Sequence, residues 1–132
     1  MAAGRQLRTP LSRAIGLGSA KEGVQHWWMQ RVTAIALVPI AAWFVIWVIM
    51  LAGSGANRGA FIAWLRDPVS AAVWVLLLIA TFYHGALGLQ VVIEDYVASD
   101  ATRFGLIILM RLAALLGCIL GIVAVAKLSL GA

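Results

Sequence analysis

The sequence predicts an all-α membrane protein in which three transmembrane helices follow an N-terminal cytoplasmic segment. Composition is the first observation: of 132 residues, 64% are hydrophobic and 11% are charged, and the mean hydropathy is +1.01. A soluble domain of this length has too little interior to bury so much apolar surface. The second observation is that three apolar stretches are long enough to cross a hydrocarbon core, which needs about 20 residues. These stretches run from about Val32 to Ala52, Val69 to Ile93 and Phe104 to Ala126.

Each stretch is continuously apolar, so it lacks the alternation that the water-facing lumen of a β-barrel imposes on its strands. Helices are therefore predicted, with residues 32–132 forming the transmembrane domain and residues 1–31 an N-terminal cytoplasmic and interfacial segment. Residues 1–31 do not resemble a secretory signal, because their basic stretch is long and the apolar stretch that follows has full spanning length.

Basic residues predict the orientation of the helices. Seven of them precede the first helix or follow the second, whereas three lie on the opposite side. By the positive-inside rule, the N-terminus is expected in the cytoplasm and the C-terminus outside. The seven are Arg5, Arg8, Arg13, Lys21, Arg31, Arg103 and Arg111, and the three are Arg58, Arg66 and Lys127. Orientation and contact with lipid headgroups account for the net charge of +5, so no nucleic-acid partner is expected.

Local chemistry predicts the boundaries of the helices. Gly53-Ser54-Gly55 is expected to end the first helix, because glycine tolerates unusual backbone angles. Asp67-Pro68 is expected to begin the second with an N-cap acceptor followed by a proline at the first helical position. Between them, residues 57–66 are expected to form a short helix in the outer interface.

Small residues predict close packing of two of the helices. Gly117 and Gly121 form a small-xxx-small pair in the third helix. Gly85 and Gly88 have no side chains and so narrow the second helix. Three helices with such small faces rarely enclose a cavity by themselves, so we expect partner subunits to complete any binding site.

His84 is the first candidate for a functional residue, because an ionisable side chain inside a lipid-spanning segment is costly to keep. Its neighbours one turn away include Ala80, Thr81 and Gly88, so a flat, bulky group could approach the imidazole closely. A haem fits this description, since neutral imidazole is a common axial ligand of haem iron. The alternative is a histidine that hydrogen-bonds a carbonyl of a neighbouring helix. A second haem histidine would have to come from a partner chain, because His26 is expected before the first helix.

Asp95 and Tyr96 are the second candidate site. At about 100° per residue, Asp95 falls within about 20° of the His84 face of the helix and about 17 Å from it along the axis. A tyrosine hydroxyl can hydrogen-bond a quinone carbonyl, and a nearby carboxylate can pass protons to the quinone. The alternatives are an interfacial aromatic anchor and a solvated helix end.

Arg31 is the third candidate, and it follows two interfacial tryptophans, Trp27 and Trp28. Its guanidinium could bind a haem propionate bidentately or lie near a quinone, and the alternative is a bond to lipid phosphate. Arg111 is expected either to extend towards the cytoplasmic surface or to pair with an acid such as Asp95.

Three segments of the chain resemble the smaller hydrophobic anchor subunit of succinate dehydrogenase. They are residues 19–23, residues 26–37 and residues 84–96, and the resemblance covers nearly the whole chain after about Gly16. The most specific element is His84 followed at eleven and twelve residues by Asp95 and Tyr96, within three helices of matching length.

The resemblance implies a four-subunit complex of the inner membrane, with a periplasmic C-terminus for this chain. A flavoprotein oxidises succinate in such a complex, an iron–sulfur subunit passes electrons to ubiquinone, and a second anchor subunit shares haem b. His84 then corresponds to the axial haem ligand, Tyr96 and Asp95 to the ubiquinone site, and Arg31 to an arginine near the propionates and the quinone. His26 is offset by one residue from the matching histidine of some relatives and receives no haem role.

Two other functions are compatible with the residues alone. The chain could be a haem-binding anchor of a different membrane oxidoreductase, or a small structural or transport protein of the membrane. The latter function leaves the grouping of His84, Asp95 and Tyr96 unexplained.

Overall fold

A computed structural model of the chain describes residues 21–55 and 57–131. These residues form four helices: α1 (Lys21–Gly53), α2 (Arg58–Arg66), α3 (Pro68–Tyr96) and α4 (Asp100–Leu130). Three of the four, α1, α3 and α4, are long and apolar enough to cross a membrane, and the described residues contain no strand. The predicted all-α fold with three membrane-spanning helices is confirmed. Arg5, Arg8 and Arg13, with most of the predicted N-terminal segment, lie outside the described residues.

The long helices extend beyond their apolar stretches. The 33 residues of α1 begin at Lys21, well before Val32, and rise about 50 Å, whereas a hydrocarbon core is about 30 Å thick. The residues from His26 to Arg31 therefore belong to a regular helix that is continuous with the bundle.

The third element, α3, is the centre of the bundle, because it packs against α1, α2 and α4. The connections between the long helices are short, so neighbouring long helices run in opposite directions. This gives the bundle two ends. At the Tyr96 end, α1 begins, α3 ends and α4 begins. At the Trp64 end, α1 ends, α2 packs against α3 and α4, α3 begins and α4 ends.

An aromatic cluster closes the Trp64 end. Trp64 of α2 is 8% exposed, and the adjacent Leu65 is 1% exposed. The ring centroid of Trp64 lies 5.3 Å from that of Trp43, 5.0 Å from that of Trp47 and 5.7 Å from that of Trp74. Such distances are typical of favourable aromatic pairs. The short helix predicted for residues 57–66 is present, and this cluster joins it to both α1 and α3.

Two side-chain hydrogen bonds cap the N-termini of α2 and α3 at this end. Asn57 Oδ1 accepts from the amide of Ala60 at 2.8 Å, and Asp67 Oδ2 accepts from the amide of Ser70 at 2.8 Å. The bond from Ser70 lowers the pKa of the Asp67 carboxyl below its ordinary value, so the side chain is ionised at neutral pH. The stabilisation by this cap is present above the ordinary pKa and is lost as the pH falls through the lowered pKa of the folded protein. The predicted start of α3 at Asp67-Pro68 is confirmed.

Glycines of α4 allow α3 to approach closely, as predicted. A Cβ atom at Gly117 would lie 2.7 Å from Cε1 of Phe82, and one at Gly121 would lie 3.0 Å from Cδ1 of Leu78. Gly85 of α3 differs, because a Cβ atom there would have no neighbour within 4 Å among the described residues.

Gly117→Ala is expected to destabilise the protein, because the added methyl group overlaps the ring of Phe82. Overpacking of this kind costs about 1–3 kcal/mol, and the better helix propensity of alanine offsets up to about 1 kcal/mol of that loss. Gly105→Ala is the matched control, since it lies on the same helix and its Cβ would have no neighbour within 4 Å. Thermal unfolding of the detergent-solubilised assembly measures both, and a midpoint for Gly117→Ala at or above that of Gly105→Ala would contradict the packing described here.

Candidate functional site

His84 is half-buried on α3 at the contact with α1. Its Nδ1 atom lies 2.9 Å from the hydroxyl oxygen of Thr33 on α1. The same hydroxyl lies 2.8 Å from the carbonyl oxygen of Met29 and 3.1 Å from that of Gln30. Among the described residues, the partner of His84 is therefore a side-chain hydroxyl, which engages one of its two ring nitrogens.

The other ring nitrogen of His84, Nε2, makes no hydrogen bond to any of the described residues. These residues contain no group of three or more potential metal ligands. A single imidazole can supply one axial ligand to a haem iron, so a histidine held through Nδ1 fits such a group.

Tyr96 and Asp95 lie at the last residues of α3 and are exposed. The Tyr96 side chain is 85% exposed, so any group that it binds must come largely from outside the described residues. Twelve residues of helix separate it from His84, which corresponds to about 18 Å. The structure therefore does not bring His84 and Tyr96 together, although both lie on one helix.

Arg31 shares the depth of His84 but not its face of the bundle. Its guanidinium carbon lies 4.2 Å from the ring centroid of Trp27, a cation–π contact along the outer side of α1. Thr33 contacts His84, so Arg31, two residues earlier, is only about 3 Å away along the axis but about 160° round the helix. Tyr96 is about 15 Å further along the bundle.

Gln90 links α3 to α4, a role that was not predicted from the sequence. Arg111 Nη2 donates to Gln90 Oε1 at 2.7 Å, and Gln90 Nε2 donates to Glu94 Oε1 at 2.7 Å. Arg111 thus bonds to an amide in place of the carboxylate of Asp95. The sequence feature that could have indicated a hydrogen bond of Gln90 is its spacing from Glu94, because residues four apart share a helix face.

An open groove of about 520 Å³ runs between α3 and α4 beside this link. Its polar wall is formed by Gln90, Arg111 and Tyr83, and the free thiol of Cys118 lies further along it. The rest of the lining is apolar. The groove is separate from the contact between Thr33 and His84, which lies between α1 and α3.

The family model of succinate dehydrogenase/fumarate reductase transmembrane subunits matches residues 5–126 of the chain. The chain belongs to this family. Its match covers all three long helices except the last residues of α4, so family membership applies to the whole bundle. The resemblance predicted from the His84–Tyr96 segment is confirmed at the level of the family.

Curated relatives of this transmembrane subunit carry closely related names. The succinate dehydrogenase hydrophobic membrane anchor subunit of Rickettsia bellii is 38% identical over 119 residues, which are 89% of this chain and 93% of that protein. The subunit of the same name from Rickettsia conorii is 33% identical, with 89% of each chain covered. That of Paracoccus denitrificans is 32% identical, with 75% of each chain covered. No solved structure matches the chain.

In this family member, Gln90→Ala is expected to weaken the contact between α3 and α4, because Arg111 loses its acceptor. Interhelical hydrogen bonds in membranes contribute about 0.6 kcal/mol on average and up to about 1.7 kcal/mol. The loss is expected to be smaller in an Arg111→Met background, where the bond is already absent. Unfolding of the four variants of this double-mutant cycle in detergent gives the coupling energy, and equal losses in both backgrounds would argue that the bond contributes nothing.

Proposed function

We propose that this chain anchors a succinate dehydrogenase in the cell inner membrane, contributing His84 to a haem b site and Tyr96 with Asp95 to a ubiquinone site. The observation that carries the proposal is the arrangement of α3, which presents an imidazole whose Nε2 has no partner among the described residues, about 18 Å from an exposed tyrosine at the helix end. An electron-carrying haem inside the membrane requires a ligand such as the His84 imidazole. A quinone near the membrane surface requires a hydrogen-bond donor such as the Tyr96 hydroxyl. The family and the names of the relatives support the same function.

The Tyr96 end faces the cytoplasm in this proposal, and the C-terminus lies in the periplasm. The distribution of basic residues supports this orientation. The flavoprotein and iron–sulfur subunits then dock at the Tyr96 end, where the side chains of Asp95 and Tyr96 are exposed. The second anchor subunit completes the haem site, since His84 supplies a single ligand.

A bound haem supplies a one-electron carrier within the bundle. His84 would hold it through the lone pair of Nε2, and the surrounding apolar helices would exclude water. Of the two roles expected for Arg31, we propose the one beside a haem propionate, because Arg31 lies at the depth of His84 and about 15 Å from Tyr96 along the bundle.

At the quinone site, the hydroxyl of Tyr96 donates a hydrogen bond to a carbonyl oxygen of ubiquinone. Such a bond gains strength where water is partly excluded. Asp95, the adjacent carboxylate, orders water and transfers protons from the cytoplasmic side as the quinone is reduced. The electrons arrive from the iron–sulfur subunit, so this chain contributes binding and proton supply to the reaction.

A tagged copy of the chain is expected to co-purify with a flavoprotein, an iron–sulfur protein and a second small membrane protein. The purified assembly should show a reduced-minus-oxidised haem spectrum and reduce ubiquinone with succinate. His84→Ala should reduce the haem-to-flavin ratio, while His26→Ala serves as the control histidine on α1. An assembly that lacks those companions, or lacks haem, would contradict the corresponding part of the proposal.

Tyr96→Phe is expected to raise the KM for ubiquinone by up to about tenfold, the equivalent of one lost hydrogen bond. Succinate oxidation with a soluble dye as acceptor should stay unchanged, because that activity does not use the quinone site. Tyr83→Phe is the matched control, since Tyr83 lies on the same helix but in the groove beside α4. Equal losses of both activities in Tyr96→Phe would contradict a quinone role for the hydroxyl.

A further inference from the structure

We propose that Thr33 is a positioning residue for His84: its hydroxyl accepts a hydrogen bond from Nδ1–H and thereby leaves the lone pair of the imidazole on Nε2. This inference rests on the proposed haem site and deepens it. In this proposal, Thr33 of α1 orients the iron ligand His84, which lies on α3.

The position of the hydroxyl proton of Thr33 decides the direction of the bond. The oxygen lies 2.8 Å from the carbonyl of Met29 and 3.1 Å from that of Gln30, both on its own helix. Threonine in a helix commonly donates to the carbonyl three or four residues earlier. A hydroxyl has a single proton, so an oxygen that donates to its own helix can only accept from His84. The reverse assignment would leave two oxygens 2.8 Å apart with no proton between them.

The direction of this bond fixes the tautomer of the imidazole. A neutral imidazole carries one N–H, and the bond to Thr33 retains it on Nδ1. Nε2 then holds the lone pair, and this is the nitrogen that has no partner among the described residues. Ligating histidines in metalloproteins usually donate their other N–H in this way, which sets the ring orientation and increases the basicity of the ligand.

Close approach of α1 and α3 makes the contact possible. One turn from His84, Gly88 places no side chain between the helices, and a Cβ atom there would lie 3.9 Å from Gln30 Nε2. Thr33 and His84 are 51 residues apart in sequence, so this hydrogen bond ties the orientation of the ring to the position of a different helix.

Thr33→Val keeps the shape of the side chain and removes the acceptor. In the assembled complex, we expect about 10-fold faster loss of haem to an excess of a haem-scavenging apoprotein, a typical effect of removing a bond to a ligating histidine. The midpoint potential and the electron paramagnetic resonance spectrum of the oxidised haem should shift as well. Thr33→Ser retains the hydroxyl and should restore all three properties towards those of the wild type.

Thr102→Val is the matched control, because Thr102 is an exposed threonine in the first turn of α4, away from His84. If Thr33→Val fails to assemble, Thr33→Ala removes the hydroxyl without a branched side chain. Wild-type haem retention, potential and spectrum in Thr33→Val or Thr33→Ala would overturn the proposal. A Thr33→Ser variant that behaves like Thr33→Val would overturn it too. A wild-type assembly without haem would instead contradict the proposed function, so the two failures are distinguishable.

Discussion

A helix that crosses a membrane must find partners for its polar side chains within the protein, and this constraint organises the bundle around α3. The Nδ1 atom of His84 meets a hydroxyl on α1, and the amide of Gln90 meets a guanidinium on α4. These two bonds lie on different sides of α3 and set its rotation against both neighbours. With Nδ1 held in this way, Nε2 has no partner among the described residues, and the proposed haem site depends on that nitrogen.

The two ends of the bundle differ in how far the chain itself buries their side chains. Aromatic rings from α1, α2 and α3 pack against Trp64, so this end is closed by residues of the chain itself. At the other end, Tyr96 extends from the last turn of α3 with most of its surface free. Most of the buried side chains therefore lie at the Trp64 end, and the residues with proposed roles lie at half-buried or exposed positions that partner subunits can cover.

Much of this architecture was predictable from the sequence, because bilayer thickness fixes the length of a spanning helix and local chemistry fixes its cap. Asp67-Pro68 and the pair Gly117 and Gly121 are examples. The pairing of Arg111 with Gln90 was not predicted, and neither was the bond between Thr33 and His84. Both depend on the rotation of one helix against another, which hydropathy does not encode. The burial of Trp64 was also missed, because in sequence an interfacial tryptophan and a packed one look the same.

The contact between Thr33 and His84 also fixes the relative heights of two helices. Twelve residues separate Lys21 from Thr33 on α1, and twelve separate His84 from Tyr96 on α3. Since both segments are helical, each rises about 18 Å beyond the contact. Among the described residues, Lys21 and Tyr96 therefore lie at about the same height, and α4 starts only four residues after Tyr96. A subunit that covers Tyr96 would thus also reach the first described turn of α1 and the start of α4.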